Sequence, residues 1–135
     1  YASANALIRQ TMTAMEQHKD SSMWGLVGGD LSRVDGRTAF EALRTGDTAA
    51  RAVVDQYLRY LADGLANYVN IFQPEVICLG GGVSHQSDEN LLIPLQGMVQ
   101  EMVFGREADV HTKLTKAKLG NDAGIIGAAL LGLNQ

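Results

Sequence analysis

The sequence holds a single cysteine, Cys78, two prolines, and aromatic residues at only 6% of the chain. One cysteine excludes a disulfide framework and fits a reducing cytoplasm. Positive charge is scarce as well: Lys and Arg number 11 against 15 Asp and Glu, a net charge of −4 at pH 7. With no block of Lys or Arg to offset that balance, a nucleic-acid surface is excluded. No apolar run approaches the roughly 18 residues of a membrane span, and a signal peptide ahead of the first helical pattern is not expected. His18, His85 and His111 are scattered without ligand spacing, so they predict no zinc site. Internal repeats and low-complexity linkers are missing too.

What is present suits one globular domain: 135 residues, 46% of them hydrophobic and 19% charged. The chain opens on Tyr1 and enters a helical pattern at once, as if cut from something longer. Leu7, Ile8, Met12 and Met15 share one face of a helix expected from about Ser3 to His18. A looser stretch from Lys19 to Gly36 follows, in which Met23, Trp24, Leu26 and Val27 are expected to tuck onto a neighbour. Thr38 and Glu41 have capping-box spacing and predict a short helix ending near Gly46. Asp47 reads as the cap of the longest helix. Its apolar stripe is Ala50, Val54, Leu58, Leu61, Leu65, Val69 and Phe72, and Pro74 ends it.

Glu75 to Leu79 reads as a strand in which Val76, Ile77, Cys78 and Leu79 have no polar alternation, which predicts burial on both faces with Cys78 in the core. After Gly80, Gly81 and Gly82, the residues Ser87, Asp88 and Asn90 read as helix-start signals. Asp88 and Glu89 are better explained by capping than as catalytic acids. Leu92, Leu95, Met98, Val99, Met102 and Val103 continue as a helix to Gly105, with Pro94 tolerated in its first turn. Val110, Thr112 and Leu114 alternate as a second strand, and Asn121 or Asp122 caps a final helix rich in glycine and alanine. The order is that of an α/β protein. A two-stranded sheet is marginal alone, so its strands are expected to find partners elsewhere. Trp24, Tyr57, Tyr60 and Tyr68 read as packing or subunit contacts.

A buried strand leading through glycines toward a helix lies where open α/β sheets bind ligands. Bare backbone lets a flat or phosphorylated ligand approach, and exposed amides can hold its polar edge. The loop is neither G-x-G-x-x-G nor a P-loop. A tight connection is an equal reading of the glycines alone, and helix-to-sheet packing is the simpler reading of Gly124, Gly127, Ala128 and Ala129.

Together, "PEVICLGGGVS" and the later "LGNDAGIIGAALLG" closely resemble the carboxyl-terminal part of the ROK family of sugar kinases and repressors. "YASANALI" and "GDTAARAVVDQYLRYLADGLANYVNIFQPE" are similar to that family as well, so the resemblance covers nearly the whole chain. Within the family it looks most like the bacterial ATP-dependent glucokinases. The resemblance implies a partial actin-like, ribonuclease-H-like ATPase fold, the carboxyl-terminal lobe only, over residues 1–135.

It also implies that Leu79, Gly80, Gly81, Gly82, Val83 and Ser84 form the adenosine-binding motif. His85 would stand at its mouth and the helix from Ala123 would back it. A side chain at Gly81 is expected to weaken ATP binding while leaving folding largely intact. The family's phosphate loop (Asp-x-Gly-Gly-Thr), its general-base aspartate on the sugar hydroxyl and its Cys-rich zinc segment match no part of this chain. The implied parent is a cytoplasmic, homodimeric glucokinase that uses ATP and Mg2+ on a hexose; the chain alone is expected to be inactive. A sugar-responsive repressor, a kinase for N-acetylmannosamine or fructose, and a ligand-free dimerisation lobe remain as alternatives.

Overall fold

The computed structural model describes residues 2–104, 112–119 and 123–131. Helix α1 spans Ala4–Gln17, and Ser3 caps it by accepting the Ala6 amide at 3.1 Å. The short helix α2, Met23–Leu26, follows; it buries Met23, but Leu26 stays exposed rather than tucking inward. Trp24 is half-buried, its indole N–H donating to the carbonyl of Met15 at 2.9 Å. A single 3-10 turn, Leu31–Arg33, leads on to α3, Thr38–Arg44.

The α3 cap differs from the Thr38–Glu41 pair expected. Asp35 is the capping side chain: its Oδ1 accepts the Thr38 amide at 3.1 Å, and Thr38 Oγ1 accepts the Asp35 amide at 3.1 Å. The reciprocal pair therefore lies three residues earlier than expected, in the turn leading into α3, while Arg37 immediately before the helix makes no side-chain cap bond.

Helix α4, Thr48–Phe72, is the spine of the molecule. Asp47 caps it through the Ala50 amide at 2.8 Å. Its other oxygen accepts from Ser21 Oγ at 2.8 Å, the Ser22 amide at 2.7 Å and Ser22 Oγ at 2.9 Å. One carboxylate thus starts a helix and ties down the loop before α2. Partial burial pushes the Asp47 carboxyl up, but the bonds from Ala50, Ser21 and Ser22 outweigh it and lower its pKa. Of the stripe along α4, Ala50, Val54, Leu58 and Leu65 are buried and Leu61 is half-buried, with Tyr57 fully inside and donating its hydroxyl to the carbonyl of Ala2 at 3.2 Å. Phe72 departs from the expected stripe: it is exposed and stacks on Tyr68 with ring centroids 6.1 Å apart. The helix ends at Gln73, which turns into the left-handed region (φ 45°) before Pro74.

Strand β1, Val76–Leu79, then pairs in parallel with β2, Lys113–Lys116, across the intervening helix α5, Leu92–Met102. The register sets Ile77 beside Leu114 and Leu79 beside Lys116. Those side chains share the face turned to the core, where Leu79 and Leu114 meet the apolar sides of α4 and α5. The expectation of burial on both faces fails. Val76 and Cys78 are exposed, since successive side chains alternate and every described helix that packs on this sheet covers the same face. Cys78 is consequently not a core residue. The second strand also begins later than expected; Val110 lies outside the described residues.

Two parallel strands leave β2 with a free outer edge, and a side chain occupies it. Gln96 on α5 donates from Nε2 to the carbonyl of Thr112 at 3.0 Å and accepts the Leu114 amide on Oε1 at 2.8 Å. Its amide group takes the place of a third strand's backbone. Helix α6, Ala123–Leu131, closes the description, with Ile125 and Leu130 exposed.

Candidate functional site

The loop after β1 is built from a strand end, a turn and one 3-10 helix. Leu79 is buried and anchors it; its carbonyl accepts the Ala117 amide at 2.8 Å, continuing the ladder past the last paired strand residues. Gly80, Gly81 and Gly82 are exposed. Gly82–His85 then forms the 3-10 helix, held by Ser84, whose amide and hydroxyl both donate to the Gly81 carbonyl, at 3.1 and 2.7 Å. Ser84 is buried and Val83 packs on the core, so the turn hangs from two inward side chains.

The glycines are not equivalent. Gly81 has φ 78° and ψ −171°, a backbone region open essentially to glycine alone. At Gly80 an added Cβ would meet the Ala117 Cβ at 3.8 Å, an ordinary contact. At Gly82 an added Cβ would meet nothing within 4 Å. The fold therefore requires glycine at 81 only. The expectation that a side chain at Gly81 leaves folding intact needs correcting, because any side chain there strains the backbone before a ligand is considered. The bare surface at Gly82 has no structural cause within the described residues, and it opens onto solvent.

The other residues singled out in the sequence fall out as follows. His85 is exposed beside the turn, its Nδ1 3.2 Å from the Gly82 carbonyl. Asp88 does not cap α5, which has no side-chain cap; it pairs instead with Lys116 at the end of β2. In the helix from Ala123, Ile125, Ala128, Ala129 and Leu130 are exposed. Among the described residues no three of His, Cys, Asp and Glu converge to hold a metal ion, and no helix is long and apolar enough to cross a membrane.

Sequence reading missed two residues around the loop. Ala117 supplies the amide for Leu79 and the wall beside Gly80, and Lys116 reaches over to the far end of the turn, donating to the Gln86 carbonyl at 2.9 Å. Nothing in the local pattern of "KLTKAK" marks either one, because the partners lie about 30 residues away in the chain.

A strand, an exposed glycine turn and a parallel partner reached through a helix are the arrangement beside which open α/β sheets bind ligands. The ROK family profile matches this chain over residues 1–135. The chain belongs to the ROK family. Among curated proteins it is 32% identical to the glucokinase of Thermotoga maritima over 95% of this chain, and 35% identical to that of Halalkalibacterium halodurans over 96%. The chain spans only 39% and 38% of those two relatives.

Among solved structures, a ROK family glucokinase from Streptomyces griseus in complex with glucose and AMPPNP superimposes with a TM-score of 0.85 at 31% identity. That match covers 97% of this chain and 42% of the other. The architecture is accordingly α/β and a part of the actin-like ATPase fold, as the sequence resemblance implied.

Proposed function

We propose that this chain is the carboxyl-terminal lobe of a sugar kinase that moves the γ-phosphoryl of ATP to the 6-hydroxyl of a hexose, with glucose the substrate favoured by the relatives. In this reading Leu79 to Ser84 form one wall of the adenosine site. The observation that carries it is the open space at Gly82, in an exposed turn at the carboxyl end of a parallel strand. Exposed glycine backbone at the end of a strand lets a ligand approach closely. The Streptomyces griseus relative, crystallised with glucose and AMPPNP, supports ATP and a hexose as the ligands.

What the described residues contribute is binding and orientation. Leu79 and Ser84 fix the turn from inside, Gly80 to Gly82 present the surface, and Val83 ties it to the core. Phosphoryl transfer also needs carboxylates for metal and for the attacking hydroxyl. In this reading magnesium bridges the nucleotide's phosphates and the family's zinc segment lies outside this chain. The isolated chain is expected to bind without catalysing. Homodimerisation of a cytoplasmic parent completes the reading, supported by Tyr68, Ile71, Phe72 and Phe104, which stand exposed together with Val76.

Calorimetric titration of the chain with ADP, with GDP as control, tests the assignment. Saturable heat with ADP alone is expected. No heat at millimolar ADP, or equal binding of both nucleotides, would refute an adenosine wall preformed in this lobe.

A further inference from the structure

The glycine turn is held at both ends by two neighbouring residues of one strand. At its start, the Ala117 amide donates to the Leu79 carbonyl at 2.8 Å, and the Ala117 methyl stands 3.8 Å from where a Cβ at Gly80 would lie. At its far end, Lys116 Nζ donates to the Gln86 carbonyl at 2.9 Å and pairs with the Asp88 carboxylate. Gln86 is the residue that closes the 3-10 turn, its amide donating to the Val83 carbonyl at 3.1 Å. Asp88 in turn begins the approach to α5, its carbonyl accepting the Ile93 amide at 2.9 Å.

We infer that Lys116 is a positioning residue for the glycine turn, fixing where Gly80 to Ser84 stand relative to the sheet by clamping the strap from Gln86 to Asp88. The chemistry suits that task. The Lys116 side chain is only 27% exposed, so its bonds are less screened than those of a surface pair, whereas Asp88 at 60% lies at the solvent edge. A neutral carbonyl and a carboxylate together use two of the three ammonium donors. Without the clamp, the far end of the turn would hang from Ser84 and Val83, and Gly81 in its strained conformation would have less to hold it. The same strand thus sets the entry and the exit of the turn, and pairing of β2 with β1 becomes a condition for a formed site. The consequence for nucleotide binding rests on the function proposed above; the clamp itself does not.

The test compares the wild-type chain with Lys116→Met, Lys116→Arg and Asp88→Asn by amide hydrogen exchange and by ADP titration. Loss of the clamp in Lys116→Met is expected to speed exchange of the Ser84, Gln86, Asn90 and Leu91 amides by roughly fivefold or more while the α4 amides of Val54 and Leu58 keep their rates. Lys116→Arg is expected to restore protection at Gln86, and Asp88→Asn, which removes only the exposed partner, to have the smaller effect.

Unchanged exchange in the turn would overturn the inference. So would an equal rise in the turn and in α4, the mark of a merely stabilising contact. ADP affinity is expected to fall in step with the local protection. If the wild-type chain binds no ADP yet the local exchange response appears, the positioning role stands and the nucleotide reading fails.

Discussion

Replacing Gly82 by alanine separates what the fold needs from what a ligand needs. In the folded chain the new methyl meets no atom within 4 Å, and the residue opens a 3-10 turn that alanine adopts readily. Folding stability is expected to hold or to rise by about 0.4–1 kcal/mol, since alanine restricts the unfolded chain. Against a nucleotide lying on the turn, the methyl is an overpacking change of about 1–3 kcal/mol. That corresponds to roughly a 5- to 150-fold rise in the Kd for ADP.

Gly81→Ala is the internal contrast. Its φ of 78° predicts a loss of stability of about 1–3 kcal/mol whether or not a ligand is there. Urea unfolding and ADP calorimetry on the same preparations of both variants give the two readings. A Gly82→Ala chain with wild-type ADP affinity would refute the idea that the bare surface serves the nucleotide. One destabilised as much as Gly81→Ala would show that the space at Gly82 is filled in solution by the protein itself.

Other outcomes follow from the side chains that carry several bonds. Asp47→Ala removes the α4 cap and the carboxylate bonds to Ser21 and Ser22, and is expected to cost about 2–3 kcal/mol in urea unfolding; Asp47→Asn, which can still cap, should cost less. The Asp47 pKa is lowered on folding, so its stabilisation is complete above the unfolded carboxylate value of about 3.9 and is lost as pH falls through the folded value. The wild-type advantage over Asp47→Ala should therefore vanish in strong acid, and an advantage independent of pH would contradict the linkage. Gln96→Ala strips the outer edge of β2 and should cost about 1–2 kcal/mol; Gln96→Glu keeps the acceptor for Leu114 but loses the donor to Thr112, and should fall between. A Gln96→Ala chain as stable as wild type would mean that water replaces the side chain at that edge.

Much of the architecture follows from the sequence alone, because it depends on local rules. Three-and-four spacing of apolar residues places α1, α4 and α5, the Asp47 cap and Pro74 bracket the longest helix, and the run ending in Gly80 marks a strand that turns abruptly. The family itself was legible in the glycine turn taken with the later small-residue run, and the matched profile bears that out. Several features needed the tertiary structure, since each depends on what lies across space. Which carboxylate caps α3 was decided by a reciprocal bond between Asp35 and Thr38. Which glycine is obligatory was decided by one dihedral angle at Gly81, and which is merely bare by the absence of neighbours around Gly82. Burial of β1 on one face only, with Cys78 outside, reflects which faces the helices cover. The roles of Gln96 and Lys116 arise from the parallel pairing of β1 and β2, which brings together residues far apart in the chain; a local pattern carries no trace of such a partnership.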